Sequence, residues 1–212
     1  MIPLVSVIIP TYKRGQLLRR AIESALAQTY KALELIIVEN GESREGEQVV
    51  RKFLSRESRL RYLYEPVGNP ALARNIGIQA AQGMYIAFLD NDDEWLPNKL
   101  ERQIKVLEQY PDVGLVSCCA WYITENGGLI SEGRDDIEGP VSLAALVTNG
   151  CLMDSLSGVL IRRECFKQVG LFDTAYRVAD DYDLYLRVAK RYRIFFLKEL
   201  LFPAEPPSPR GG

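Results

Sequence analysis

The segment Tyr85-Ile86-Ala87-Phe88-Leu89-Asp90-Asn91-Asp92-Asp93 carries the signature of the fold. Its unbroken apolar run reads as a strand buried on both faces, and that strand passes directly into a cluster of carboxylates. Working back from it, a helix is expected over residues 71–81, after the stiff, small loop Pro66-Val67-Gly68-Asn69-Pro70, and a strand over 60–64. Further upstream a helix over 45–56 follows the apolar run 33–38, which closes on the turn signal Glu39-Asn40-Gly41. Leu18, Ala21, Ile22 and Ala25 repeat at helical spacing, after the β-branched run 5–9 that stops at Pro10-Thr11. Downstream, Pro97 suits the first turn of a helix whose Leu100, Ile104 and Leu107 share one face.

Strand-helix pairs repeated in this way predict an α/β protein: a Rossmann-like, mostly parallel central sheet with helices on both faces. Beyond residue 113 the rhythm loosens. Past the stretch 113–122, a hairpin turn at Asn126-Gly127-Gly128, a polar loop over 133–140, a strand over 156–161, helices from Arg163 and over 181–190, and a last strand over 194–197 are expected. The proline-rich end, 201–212, reads as a disordered tail, so residues 1–200 form one domain, with halves at about 1–112 and 113–200.

The chain has 212 residues, 47% hydrophobic and 25% charged, the balance of a folded protein with a core of its own. Twenty-six basic against 28 acidic residues give a net charge of −2, which argues against a nucleic-acid partner. With no histidine and no CxxC spacing among Cys118, Cys119, Cys151 and Cys165, neither a zinc site nor a Ser-His-Asp triad can be assembled. The N-terminus lacks a basic leader, and no apolar run is long enough to span a membrane. A cytoplasmic location is expected, and peripheral association at the inner face of the cell membrane is compatible with the same sequence.

In open parallel sheets, ligands bind outside the carboxyl ends of the strands. Three such ends carry chemistry: Pro10-Thr11-Tyr12-Lys13-Arg14, Glu39-Asn40-Gly41, and Asp90-Asn91-Asp92-Asp93. The glycines at 41 and 46 have P-loop spacing, but Glu47-Gln48 stands where Lys-Ser/Thr is required, and no GxGxxG follows the first strand. Three carboxylates in four residues repel one another unless a cation intervenes, and Mg²⁺ or Mn²⁺ suits such a set. The same residues also suit a turn and a helix cap before Pro97, and spacing alone does not choose between the two. Asp180-Asp181-Tyr182-Asp183 holds more acids than a helix N-terminus needs, which leaves one to serve as a general base. Arg74 and Asn75 open the helix after the 66–70 loop, where Arg74 suits phosphate pairing as well as a plain surface role. Trp95, Trp121 and Tyr122 suit either a sugar site or the core.

These segments, in this order, resemble the family 2 glycosyltransferases, whose nucleotide-sugar domain is of the glycosyltransferase A type. The resemblance runs from Val5-Ser6-Val7-Ile8-Ile9-Pro10-Thr11 through Glu34-Leu35-Ile36-Ile37-Val38, Ala73-Arg74-Asn75-Ile76-Gly77 and the 83–93 stretch to Gly170-Leu171-Phe172-Asp173 and Asp180-Asp181-Tyr182-Asp183. It implies a nucleotide-sugar pocket formed by Pro10, Thr11, Tyr12, Arg14, Glu39, Arg74, Asn75, Asp90, Asn91 and Asp92. In it Asp90 lies near the ribose, Asp92 on the metal with Asp90 beside it, and Arg74 near the base or phosphates. The implied cofactor is Mn²⁺ or Mg²⁺ and the implied catalytic base is Asp181. The implied reaction is inverting transfer from a nucleotide-diphospho-sugar, most commonly a UDP-sugar, to a hydroxyl of a glycan, lipid-linked or other acceptor. Two departures stand out: Glu39-Asn40-Gly41-Glu42 replaces the family's usual Asp-Asp-Gly-Ser, so a longer carboxylate has to reach the base, and Asp180 replaces the more usual Glu. The competing readings are a non-catalytic or truncated nucleotide-sugar-binding module and a sugar-1-phosphate nucleotidyltransferase. The latter needs a glycine-rich loop that residues 10–15 do not supply.

Overall fold

The computed structural model describes residues 2–123, 129–132, 138–149, 153, 155–176 and 178–204. The alternating first half consists of β1 (Val5–Thr11), α1 (Gly15–Leu26), β2 (Leu33–Asn40), α2 (Glu45–Leu54), β3 (Leu60–Glu65), α3 (Pro70–Ala80), β4 (Tyr85–Phe88) and α4 (Lys99–Gln109). The second half adds β5 (Val113–Ile123), β6 (Leu129–Glu132), β7 (Gly139–Val141), α5 (Leu143–Asn149), a 3-10 turn (Leu156–Gly158), β8 (Val159–Arg162), α6 (Arg163–Val169), α7 (Asp180–Ala189) and β9 (Arg193–Ala204).

The strands form one sheet in the order β3-β2-β1-β4-β8-β5-β9-β7, with β6 paired to β5. From β3 to β4 every pairing is parallel, as the continuously apolar strands predicted. Past β4 the sheet is mixed: β8 runs antiparallel to both β4 and β5, β9 is parallel to β5, and β7 is antiparallel to β9.

Side chains alternate across this sheet into two apolar layers. Val5, Val7 and Ile9 of β1 and Leu33, Leu35 and Ile37 of β2 pack with Leu18, Ile22, Val50, Leu100 and Ile104 of α1, α2 and α4. Ile8, Ile36, Val38 and Phe88 point the other way, into a layer with Ile78 of α3, Phe166 of α6 and Leu184 and Val188 of α7. This parity decides where the residues at the strand ends stand.

Several boundaries differ from the sequence reading. Helix α4 starts at Lys99 with Asn98 as its N-cap, so Pro97 lies outside the helix rather than in its first turn. The expected strand at 156–161 opens instead as the 3-10 turn, whose Ser155 side chain accepts the Ser157 N–H. Strand β9 continues to Ala204 and buries Leu201 and Phe202, so the first residues of the expected tail belong to the sheet. They do so because β5 offers β9 a long parallel edge, up to the Tyr122–Ala204 pairing. The rest of that tail, the turn at 126–128, most of the loop at 133–140, and Cys151 lie outside the described residues. Trp95 is core, 4% exposed, and Cys118, Cys119 and Cys165 are buried thiols.

One cation lies wholly inside this core. Lys99 is 0% exposed, its Nζ donates to Gln103 Oε1 at 2.8 Å, and it sits 4.2 Å from the centre of the Trp95 ring. Burial pushes its pKa down from 10.5 to about 8, with the Cys118 sulfur pulling the other way. Between pH 8 and 10.5 the unfolded chain holds a proton here that the folded chain has lost, so stability rises with pH across that window. Lys99→Met is expected to gain up to about 3 kcal/mol at pH 7. In urea unfolding that advantage should shrink toward pH 10, and an advantage independent of pH would contradict this origin.

Candidate functional site

Strand β1 has β2 on one side and β4 on the other, so the chain leaves it in opposite directions at this point of the sheet. Such a crossover opens a crevice at the carboxyl ends of the strands. The structure has a cleft of about 570 Å³ there. Its wall contains Pro10, Thr11, Tyr12 and Arg14 from the end of β1, Asp90, Asn91 and Asp92 from the turn after β4, and Arg74 from α3. These are eight of the ten residues expected to form the pocket. Asn40, Gly68 and Pro70 complete it.

The β1 turn is shaped by backbone constraints. Lys13 is left-handed (φ 52°) and swings its ammonium over the Tyr12 ring, 5.0 Å from the centroid. Gly41 has φ 86°, and a Cβ there would stand 2.6 Å from the Tyr12 ring. Glycine is therefore required at 41 both for its conformation and for Tyr12 to lie across it. Tyr12 remains 44% exposed and lines the cleft.

The acidic turn is held from beneath. Asp90 N–H donates to the buried Ser157 hydroxyl at 2.9 Å, Asn91 Nδ2 donates to Thr11 Oγ1 at 2.8 Å, and Asp93 N–H donates to Asp90 O at 3.1 Å. Trp95 Nε1 and Gln103 Nε2 fix the Ser157 and Gly158 carbonyls at 2.9 and 2.7 Å. Asp93 turns inward. Burial, reinforced by Asp90 and Asp92, pushes it up to about 7 against the pull of the Ser157 and Ser155 hydroxyls. Only two of the three carboxylates thus face the cleft: Asp90, 3.4 Å from Arg74 Nη2, and Asp92, paired with Arg14 Nη1.

Among the described residues, no cluster of three or more His, Cys, Asp or Glu side chains is arranged to cage a metal. Two carboxylates on one wall are nevertheless the donor set of a hard divalent cation that completes its shell with water and phosphate oxygens. The residues fit Mg²⁺ or Mn²⁺ held jointly with a ligand, and they do not fit an all-protein metal centre.

Two expected pocket residues stand elsewhere. Glu39 shares the parity of Leu33, Leu35 and Ile37, which turns it toward α2. Its carboxylate is fully buried and accepts from Gly46 N–H (2.8 Å), Glu47 N–H (3.0 Å) and Tyr62 O–H (2.6 Å). It neutralises the start of α2 and has no reach into the cleft. Asn75 is likewise spent, its amide bonding both ways with the Phe172 backbone at 2.8 and 2.9 Å.

The residue that sequence reasoning passed over is Asn40. It lies one position on, with the opposite parity, in the cleft wall. Its Nδ2 donates to Thr11 O at 3.1 Å. A carbonyl can only accept, so the amide orientation is settled, and Oδ1 together with the second Nδ2 hydrogen is what Asn40 has left to offer.

The second acidic cluster opens α7. Asp180 pairs with Arg74 Nη1 at 2.8 Å and Asp183 with Arg187 Nη2 at 2.7 Å. Asp181 makes no ion pair among the described residues, accepts only its neighbour's N–H at 2.8 Å, and is raised above its ordinary 3.8, chiefly by burial.

A larger hollow, about 790 Å³, opens near Tyr30, Glu101 and Glu108. It lies by the amino ends of β1 and β2, where parallel sheets do not place ligands, and its polar groups are surface charges of both signs.

Comparison with known proteins gives the family and the fold. Residues 6–170 match the model of glycosyl transferase family 2. The chain is 34% identical over 209 residues to an uncharacterized glycosyltransferase of Rickettsia prowazekii, covering 94% of this chain and 63% of that one. It is 28% identical over 211 residues to another from Methanocaldococcus jannaschii, covering 97% and 72%. Among solved structures, S. aureus TarS 1–349 in complex with UDP-GlcNAc superposes with a TM-score of 0.78 at 18% identity, covering 98% of this chain and 60% of that one. The Pyrobaculum calidifontis mannosyltransferase PcManGT with GDP-Man and Mn²⁺ gives 0.72 at 21%, covering 100% and 59%. At these identities the structures speak for the fold.

The exchange of roles between Glu39 and Asn40 can be tested by stability. Glu39→Gln leaves one of three buried donors facing an NH₂ group and is expected to cost about 1–3 kcal/mol in urea unfolding. Asn40→Ala should cost less. An unchanged midpoint for Glu39→Gln would contradict the assignment.

Proposed function

The chain belongs to glycosyl transferase family 2, and on that premise we propose that its cleft binds a uridine-type nucleotide-diphospho-sugar with a divalent cation and supports inverting transfer to an acceptor hydroxyl, with Asp181 as general base. The observation that carries this reading is the convergence, at one crossover of the sheet, of an exposed aromatic ring, an amide, two arginines and two carboxylates. Tyr12 stacks on the base. Asn40 Oδ1 accepts the imide N–H of uracil, a single-donor edge that suits its one free oxygen, whereas the two-donor edge of guanine is better met by a carboxylate. Asp90 takes the ribose side, and Arg14 and Arg74 face the diphosphate.

Asp92, with Asp90, holds the cation. Bound there, Mg²⁺ or Mn²⁺ supplies charge neutralisation for the nucleoside diphosphate as it departs. The complexes of PcManGT with GDP-Man and Mn²⁺ and of TarS with UDP-GlcNAc support a ligand of this class.

Asp181 supplies the proton chemistry. Its carboxylate takes the proton from the acceptor hydroxyl as that oxygen bonds to the anomeric carbon. The bond from that carbon to the diphosphate oxygen breaks with its electron pair going to the diphosphate, and displacement from the opposite face inverts the centre. Of the three acids in the first turn of α7, Asp181 alone makes no direct ion pair with an arginine among the described residues, so its oxygens are available.

Calorimetry tests the reading. UDP is expected to bind at least tenfold more tightly with Mn²⁺ than with EDTA, Asp92→Ala should erase that difference, and Asn40→Ala should weaken UDP about tenfold or more, a loss of about 1.4 kcal/mol. GDP should bind more weakly than UDP. Equal affinity with and without the cation, unchanged in Asp92→Ala, would overturn the site. For turnover, kcat/KM is expected to rise with pH along a limb shifted upward from the ordinary aspartate value, because burial raises Asp181 and it acts when deprotonated, and Asp181→Asn should abolish the activity.

A further inference from the structure

Helix α7 starts without a cap of its own. Its N-cap, Ala179, is left-handed (φ 61°) and offers no side-chain acceptor to the free N–H groups of the first turn. A left-handed non-glycine residue costs about 1–2 kcal/mol, so the position of this helix start must be imposed from elsewhere. Arg187, two turns on, holds the Val169 and Leu171 carbonyls, and Tyr182 O–H donates to Leu146 O at 3.0 Å. The first residue of the helix is held by Arg74.

The Arg74 guanidinium lies between two acidic elements. Nη1 donates to Asp180 at 2.8 Å and Nη2 faces Asp90 at 3.4 Å, with the Phe172 ring 5.6 Å from the guanidinium carbon. Asn75 of α3 and Asn69, the N-cap of that helix, hold the same approach segment, the first through the Phe172 backbone and the second through Thr174 O at 3.1 Å. Burial opposes the Arg74 charge most strongly, and Asp90, Asp180 and Asp181 outweigh it. Its Nε is buried without a hydrogen-bond partner among the described residues, which is itself a cost.

Buried ion pairs add little net stability compared with apolar residues of the same shape, and their best-attested use is to fix register. A rigid fork gripping one carboxylate on each side serves that use. Resting on the function proposed above, we infer that Arg74 is a positioning residue: through Asp180 it sets the distance between Asp181 and the acidic wall of the cleft, so that the donor side and the base move as one body.

The test uses the full chain and the variants Asp180→Asn and Asp180→Glu. Three properties are read: affinity for UDP with Mn²⁺, hydrolysis of UDP-N-acetylglucosamine and UDP-glucose, and hydrogen exchange of peptides covering residues 172–186. Asp180→Asn is expected to exchange at least tenfold faster at the start of α7. It should lose at least tenfold in hydrolytic kcat while its KM and its UDP affinity stay within threefold. Asp180→Glu, which keeps a carboxylate for Arg74, should recover most of both losses. Unchanged exchange in Asp180→Asn overturns the inference whether or not kcat falls, since a fall without loosening makes Asp180 a direct participant. If exchange quickens while kcat holds, the pair is merely structural and the inference again fails. If the unmodified chain neither binds UDP nor turns over, the proposed function fails on its own, and the exchange data decide whether Arg74 places the helix.

Discussion

Everything at the site follows from the placement of β1 between two parallel neighbours reached by crossovers in opposite directions. The register pairs Thr11 with Glu39 at the end of β1 and Ile8 with Phe88 at the end of β4, so β4 stops three residues lower and its acidic turn rises beside the end of β1, where Asn91 meets Thr11. The chain then needs only to keep the crevice from collapsing. It does so with short polar ties: Leu89 N–H to Ile8 O at 3.0 Å, Asn91 to Thr11, and Asp90 N–H to Ser157. These bonds fix the turn and leave the carboxylates of Asp90 and Asp92 pointing at the opening.

The charges around the opening balance locally. Asp92 leans on Arg14, Asp90 and Asp180 on Arg74, and Asp183 on Arg187. The Asp92–Arg14 pair lies at the surface, and pairs of that kind are weak and exchange partners readily. A ligand that brings phosphate oxygens for Arg14 and, with its cation, positive charge for Asp92 satisfies both groups it separates, while the largely buried Arg74 keeps its hold on Asp180. Asp93 and Lys99, by contrast, are buried beneath the turn, where their displaced pKa values record the cost of the scaffold rather than the chemistry.

The parallel half was legible in the sequence because strands covered on both faces are apolar without interruption, and 5–9, 33–38 and 85–89 stand out from their surroundings. The same property hid the choice between Glu39 and Asn40. Every residue of β2 is buried, so no polar alternation marks which side chain turns to α2 and which to the cleft. Gly46 was the available signal, since a Cβ there would stand 3.1 Å from the Glu39 carboxylate. Asn75 misled for a related reason: it neighbours Arg74 in sequence, but on a helix adjacent residues face about 100° apart, and only one of them reaches the cleft. The start of β8 and the length of β9 depend on pairing with β5, a contact that local patterning does not encode.

The central claim is that a divalent cation and a uridine diphosphate meet at the Asp90–Asp92 wall, and the most direct measurement is paramagnetic broadening of backbone amide signals by Mn²⁺. With UDP present, substoichiometric Mn²⁺ should broaden the amides of residues 90–93 and of Thr11, Tyr12 and Arg14 and leave those around Glu101 and Glu108 sharp, and in Asp92→Ala the broadening at the cleft should vanish. Broadening centred on the hollow beside Tyr30, or an unaltered pattern in Asp92→Ala, would contradict it.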